Sequence, residues 1–152
     1  MLALALQAAA TGRSPLGVFD RWGAFRDAAP ARCYAIAEPI NRARTRPFAS
    51  IATWPGSGAR NQLHIRLSRP RAASARVTLS IGERRFALIA GESDAWAPDA
   101  RTDAAIVSAM RDGRSMSVET VSARGAPYAD VYPLRGAASA IDAAAVGCAR
   151  AR

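Results

Sequence analysis

Two cysteines open the question of what chemistry this chain can do. Cys33 lies in "ARCYAIAEP" and Cys148 lies in "AVGCAR", near the far end of the 152 residues. They are too far apart for a C-x-x-C redox pair and too few for a zinc site. In an oxidising compartment two cysteines allow one intramolecular disulfide. In a reducing compartment the alternative is two buried free thiols, so the compartment decides between the two structures.

His64 is the single histidine, so any Ser-His-Asp arrangement would have to use it. The alternating stretch "QLHIRLSR" predicts a strand that directs this side chain to its polar face. The serine in "WPGSGAR" lies between glycines but lacks the G-x-S-x-G elbow and its strand-to-helix setting. One histidine without an acidic cluster does not make a metal site, and no phosphate-binding or dinucleotide fingerprint is present. We therefore expect a surface histidine, no catalytic residue, no metal and no cofactor.

Carboxylates beside aromatic rings offer a second kind of chemistry. Asp94 lies near Trp96 and Asp130 near Tyr132, and such pairs are typical of sugar-processing sites. The alternative is that these carboxylates pair with some of the many arginines, while the rings pack in the core or at its rim. We expect these ion pairs and this packing rather than a sugar site.

Arginine supplies all 21 basic residues, and the net charge is +9. Such a surface attracts polyanions, and arginine recognises phosphate groups and guanine, so nucleic-acid binding is one reading. A GC-rich genome explains the same composition, and the chain lacks the aromatic–basic interleaving of single-strand binders. Arg42, Arg44 and Arg46 would share one face if extended, which makes a candidate anion site. A solvated loop is the alternative for these three residues.

The N-terminal stretch "MLALALQAAATG" predicts a signal-peptide remnant over residues 1–10. A short apolar run is followed by small residues at Ala8 and Ala10, so cleavage is expected before Thr11. An ordinary N-terminal helix is the alternative. Residues 11–152 are then expected to form a single domain, a usual length for one. No stretch approaches the length of a transmembrane helix.

Strands dominate the rest of the chain. Leu63, Ile65 and Leu67 alternate with polar residues, as expected for a strand with one buried face. The stretch "VTLSIGERRFALIA" predicts a β-hairpin with its turn at Gly82 and Glu83. Four further candidate strands are "RCYAIAEP", "PFASIATWP", "RSMSVETVS" and "PYADVYPL".

Two segments have helical patterns instead. "RTDAAIVSAMRDG" predicts a helix capped by Thr102 or Asp103, with Gly113 in a left-handed conformation after its end. "AASAIDAAAVG" predicts a second, alanine-rich helix that ends at Gly147. Because these helices do not alternate with the strands, the pattern favours an antiparallel sandwich of seven or eight short strands.

The order of these features resembles the invasion-associated locus B family of exported Gram-negative proteins. An early tryptophan, the "CYAIAEP" strand, the hairpin, a second tryptophan and the helix follow one another over about residues 19–148. The tail has a "Y-x-L-x-G-x-x-x-A" pattern before the last cysteine. This pattern consists of Tyr132, Leu134, Gly136 and Ala140.

The resemblance implies an all-β fold, an immunoglobulin-like antiparallel β-sandwich with one or two short helices. It also implies export to the periplasm or outer surface and no enzymatic activity. Family members often have an additional cysteine near the position of Phe25; its absence here supports a single bond, Cys33–Cys148. The expected partner is an envelope protein or an anionic cell-envelope polymer, with no specific nucleic acid. The alternative functions are a periplasmic hydrolase acting on a glycan or ester, and a basic nucleic-acid-binding domain.

Overall fold

The computed structural model describes residues 12–41 and 43–149, and within them the chain forms ten β-strands and two α-helices. Every strand pairing is antiparallel. The elements are β1 (Arg13–Phe19), β2 (Trp22–Ala28), β3 (Ala31–Ala37), β4 (Phe48–Trp54), β5 (Ala59–Arg66), β6 (Val77–Ile81), β7 (Arg84–Ala90), β8 (Asp94–Trp96), α1 (Ala100–Asp112), β9 (Ser115–Val121), β10 (Pro127–Pro133) and α2 (Ala137–Ala149).

The strands follow the order β1-β2-β3-β4-β5-β8-β7-β6-β9-β10. The first five form a meander, whereas β6 to β9 form a Greek key, because β9 returns after α1 to lie beside β6. The indole nitrogen of Trp22 in β2 donates to the carbonyl of Pro133 at the end of β10, at 2.9 Å. The sheet therefore curls back so that its two halves face each other. The all-β sandwich with two short helices is confirmed.

The inner face of the sandwich explains the alternation in the sequence. Leu63 and Ile65 of β5 are fully buried, and they share one core cluster with Leu79 of β6, Val118 of β9 and Ile106 of α1. Each buried residue alternates with one that points to the opposite face, as strand geometry requires. The five candidate strands and the hairpin are all present. Three strands, β1, β2 and β8, are additional to the seven or eight predicted.

The predicted cap of α1 is wrong by a few residues. Asp99 is the N-cap, and its side chain accepts a 2.7 Å hydrogen bond from the backbone nitrogen of Thr102. Asp103 instead reaches sideways and accepts a 2.9 Å bond from the backbone nitrogen of Leu63 in β5. Gly113 is also not left-handed, since its φ is −86°. A side chain at Gly113 would lie 2.7 Å from Ile81, so close packing is the reason for glycine.

The second helix, α2, packs across β1 to β4 and runs through Gly147, beyond the predicted end. Its last turn contains Cys148, which forms a disulfide with Cys33 in β3 across a Cα–Cα distance of 5.7 Å. The first and last parts of the described chain are thus covalently joined. Neither helix has the length and apolar character of a membrane span among the described residues.

Candidate functional site

The face of the sheet opposite the core has a row of residues that are mostly apolar or aromatic. Directly paired residues of an antiparallel sheet project on the same side, so the register identifies this row. It crosses seven neighbouring strands, from β1 to β7. We call it the outer row; its members are Val18, Gly23, Ile36, Ser50, His64, Trp96 and Ile89.

The two ends of the outer row are open to solvent. Val18 is 75% exposed and Ile89 is 54% exposed. A second row on the same face pairs Phe25 with Tyr34, whose rings stack at a centroid distance of 5.8 Å. Six inter-strand spacings of about 4.8 Å give the outer row a length of roughly 29 Å. Exposed apolar side chains on a sheet face are typical of a binding surface, and here they lie at the two ends of the row, with the buried Ser50 between them.

A cleft of about 650 Å³ opens on this outer face over β1 to β4. Its floor is apolar and consists of the half-buried side chains of Phe25, Ile36 and Phe48. Three exposed arginines stand around it, and one carboxylate, Glu38, joins them. We call it the arginine cleft after Arg13, Arg21 and Arg46.

The loop between β3 and β4 forms one wall of the arginine cleft, and the last strand fixes this loop. The backbone nitrogen of Ile40 donates to the carbonyl of Val131 in β10, at 2.9 Å. The side-chain amide of Asn41 donates to Asp130, the preceding residue of β10, at 3.0 Å. Arg46 has a φ of 52°, a left-handed conformation uncommon for a residue with a side chain. The wall is therefore held in one conformation.

Asp27 of β2 does not line the cleft but holds Arg13, which does. Its carboxylate accepts bonds from Arg13 at 3.1 Å and from Arg32 at 2.9 Å. Burial alone would raise the pKa of Asp27, but the hydrogen bonds and charges of these two arginines outweigh it and lower the pKa below its ordinary value. The Arg32 guanidinium also lies over the rings of Tyr34 and Trp54, at 4.1 and 5.0 Å from their centroids. This ion pair and the cation–π contacts fix both arginines.

The three arginines of the predicted anion site are only partly brought to the cleft. Arg42 lies outside the described residues. Arg44 is exposed and does not line the cleft, whereas Arg46 does. Arg13 and Arg21 were not predicted, because the β1–β2 hairpin brings them there and its pattern is not visible in the sequence.

His64 lies on the outer face, as predicted, but it is half-buried between rings. Its Nε2 lies 2.8 Å from Asp94, its ring stacks on Trp96 at 5.3 Å, and Phe48 meets it edge-on at 5.1 Å. A triad histidine needs a nucleophile on its other nitrogen. Within residues 12–41 and 43–149, no serine hydroxyl is hydrogen-bonded to His64. The pair is better explained as a strand-to-strand contact between β5 and β8.

Asp130 and Tyr132 are both fully buried, so the ring packs in the core as expected, whereas Ser68 and Asn41 stand where an arginine partner of Asp130 was expected. Asp130 accepts bonds from the backbone nitrogen and the hydroxyl of Ser68 as well as from Asn41. Burial, followed by the nearby charges of Asp130 and Glu38, raises the pKa of the Tyr132 hydroxyl far above its ordinary value. These residues are part of the core. Among the described residues, His, Cys, Asp and Glu side chains do not gather in groups of three that could hold a metal.

Comparison with known proteins bears on the fold and the family of the chain. No curated protein matches the chain. The crystal structure of invasion associated protein B from Bartonella henselae matches with a TM-score of 0.64 and 13% identity, over 88% of this chain and 98% of that one. At that identity the likeness shows a shared fold. The family model described as "Invasion associated locus B (IalB) protein" matches residues 24–145, which is most of the sequence. The chain therefore belongs to the invasion associated locus B family.

Proposed function

We propose that this chain is an exported envelope protein that works by binding a partner rather than by catalysis. The outer row, with exposed apolar ends and the arginine cleft over its β1 to β4 part, is the observation that carries the proposal. Aromatic residues and arginine are the types enriched at interface centres, and the charged rim would select an acidic partner. An envelope protein and an anionic envelope polymer both offer such a surface.

Export is supported by the disulfide, since such bonds persist in oxidising compartments. We further propose that residues 1–10 are the signal-peptide remnant and that residues 11–152 are one domain. Mass spectrometry of the mature protein, with and without reductant, tests both points. The expected product begins at Thr11 and takes up two thiol reagents only after reduction. A mature chain that keeps Met1 and reacts at both cysteines without reductant would contradict export.

The outer face is tested with a double variant, Val18→Thr and Ile89→Thr. Threonine keeps the β-branched shape at both ends of the row but puts a hydroxyl group in place of a methyl group of Val18 and the ethyl group of Ile89, so the fold is retained. The measurement is co-sedimentation of purified protein with isolated cell envelopes of the producing bacterium. We expect the parent protein in the pellet and a large loss of the double variant to the supernatant.

Val146→Thr is the matched control, because Val146 is 51% exposed on α2, away from the outer row. This variant should sediment like the parent protein. Equal sedimentation of the parent and the double variant would show that the outer row does not bind the envelope. Equal loss with the control variant would show a general effect of surface hydrophobicity.

A further inference from the structure

We propose that the arginine cleft binds a small amphipathic anion, an acyl chain or aromatic ring that carries a phosphate or carboxylate. The inference rests on the proposed binding function and names the ligand class for one part of the outer face. It follows from three properties of the cleft: its charge, its floor and its rigidity.

The charge around the cleft is unbalanced. Three arginines face one carboxylate, Glu38. Arg13 shares Asp27 with Arg32, whereas in the described part of the chain no carboxylate lies within ion-pair distance of Arg21 or Arg46. Guanidinium groups bind carboxylates and phosphates through paired hydrogen bonds, so an anionic group fits at the rim.

The floor of the cleft requires more than a bare anion. Phe25, Ile36 and Phe48 are half-buried, and a small inorganic ion at the rim would leave them uncovered. Gly23 allows this floor to form, since a side chain there would lie 2.7 Å from the ring of Phe25. The volume of about 650 Å³ lies within the usual range for small-molecule sites. An apolar group attached to the anion therefore accounts for the whole surface.

The site is also formed before any ligand arrives. The bond from Nε of Arg13 to Asp27 holds that guanidinium while its two terminal nitrogens take no part in the bond. The turn that holds Arg46 is fixed by a bond from the Thr45 hydroxyl to the carbonyl of Ser68, at 2.9 Å. Because little ordering is needed on binding, more of the contact energy remains as affinity.

The half-buried floor favours a free molecule over a lipid headgroup in a membrane. A free molecule can place its own apolar group on the floor while its anionic group meets the arginines. The test uses n-decyl phosphate below its critical micelle concentration, in about 0.15 M NaCl so that distant charges are screened. Inorganic phosphate, n-decanol and phosphatidylglycerol vesicles are the comparison probes. Binding is measured by calorimetry and by the methyl NMR signals of isoleucine, with Ile36 and Ile40 in the cleft and Ile106 in the core.

The key variant is Arg21→Ala with Arg46→Ala, and its control is Arg101→Ala with Arg124→Ala. All four arginines are exposed, so both variants should fold, and each removes two positive charges. We expect decyl phosphate to shift Ile36 and Ile40 but not Ile106. The cleft variant should bind it about tenfold more weakly or worse, because charge-assisted bonds are lost. The control should change affinity by less than about twofold, since its charges are distant and screened.

Four results would overturn the proposal. Two of them, equal binding of decyl phosphate and inorganic phosphate and equal weakening by both variants, would indicate general charge attraction. Another is binding without a shift at Ile36 and Ile40. The last is binding to vesicles but not to monomeric decyl phosphate, which would assign the chemistry to a membrane surface. Failure here with success of the outer-row experiment would leave the proposed function standing without this ligand.

Discussion

Asp130 concentrates more hydrogen bonds than any other buried carboxylate described above. Replacing it with alanine leaves the backbone nitrogen and hydroxyl of Ser68 and the amide of Asn41 without their acceptor. We expect Asp130→Ala to lower the free energy of unfolding by roughly 3 kcal/mol or more, because buried donors would be left unpaired. Urea denaturation followed by tryptophan fluorescence measures this loss.

Asp142→Ala is the control for this prediction. Asp142 is 64% exposed and pairs with Arg111 at 2.7 Å on the surface. Surface ion pairs contribute little, so the loss should stay below about 1 kcal/mol. Similar losses at positions 130 and 142 would show that Asp130 does not hold the loop as described.

The ion pairs of Asp27 make stability depend on pH. The folded pKa is lowered from its ordinary value of 3.8, so the contribution is present above 3.8 and is lost as the pH falls through the folded value. Asp27→Asn should therefore destabilise the protein near pH 7, and the difference from the parent should shrink below about pH 3. Urea unfolding of the parent and the variant, near pH 7 and below about pH 3, measures this difference.

The contribution of Asp103 to stability should depend on pH in the opposite direction. Burial is the largest cause of its raised pKa; the bond from Leu63 opposes it and the charge of Asp99 adds to it. Its contribution is present below 3.8 and is lost as the pH rises through the folded value. Asp103→Asn should therefore gain stability relative to the parent between about pH 3 and 7. A common trend for both variants would show that these two environments are misassigned.

Several of these residues could not be assigned roles from the sequence. Two of the three neighbours of His64, Asp94 and Trp96, come from β8, a three-residue strand too short to show alternation. Arg13 and Arg21 lie far from Arg46 in the sequence, so only tertiary structure brings them to one cleft. For Asp130 the sequence predicts an arginine partner, whereas burial and the bonds from Ser68 and Asn41 decide its role.

At the level of elements, periodicity predicted well wherever a strand has one clean buried face. β5 and the β6–β7 hairpin are of this kind. β1 is not, because Pro15 and Gly17 flank an irregularity in its register with β2 and interrupt the alternation. The end of α1 was predicted for the wrong reason, since Gly113 is required by packing and not by its backbone conformation.

Gly136 determines how α2 begins. Its φ is 88°, and a side chain there would overlap the backbone carbonyl of Phe19, at the end of β1. Gly136→Ala should therefore move the helix off the β1–β2 hairpin and lower stability well beyond the cost of backbone strain. Urea denaturation and the near-ultraviolet circular dichroism of the buried Trp22 measure the two effects.

Gly125→Ala separates strain from overlap. Gly125 has a φ of 83°, but the space where a side chain would lie is open. The Gly125→Ala variant should lose about 1–2 kcal/mol of its free energy of unfolding, the usual cost of a left-handed conformation for a residue with a side chain. An equally small loss at Gly136 would argue that no close approach exists between α2 and the hairpin.

For the whole molecule, the disulfide is the strongest single constraint. Its cysteines are 115 residues apart, and a chain-entropy estimate for such a loop is about 4–5 kcal/mol. We expect the double variant Cys33→Ala and Cys148→Ala to lose about 4 kcal/mol, a large part of the stability of a typical domain. Guanidinium denaturation of the oxidised parent and of the variant measures it.

Reductant provides the control for this experiment. It should bring the parent close to the double variant and leave the variant unchanged. An oxidised parent no more stable than the variant would show that the packing of α2, rather than the covalent bond, holds the ends of the domain together.

The attachment of the β3–β4 loop to β10 has a consequence for how binding is acquired. Every residue that lines the arginine cleft precedes position 49, yet the acid that anchors its wall is at 130. A truncated or nascent chain that stops short of β10 thus has the complete set of ligand contacts but lacks the bonds from Ile40 and Asn41 that hold the wall in place. Ligand binding in the cleft would then indicate that β10 has been synthesised and has folded against the β3–β4 loop.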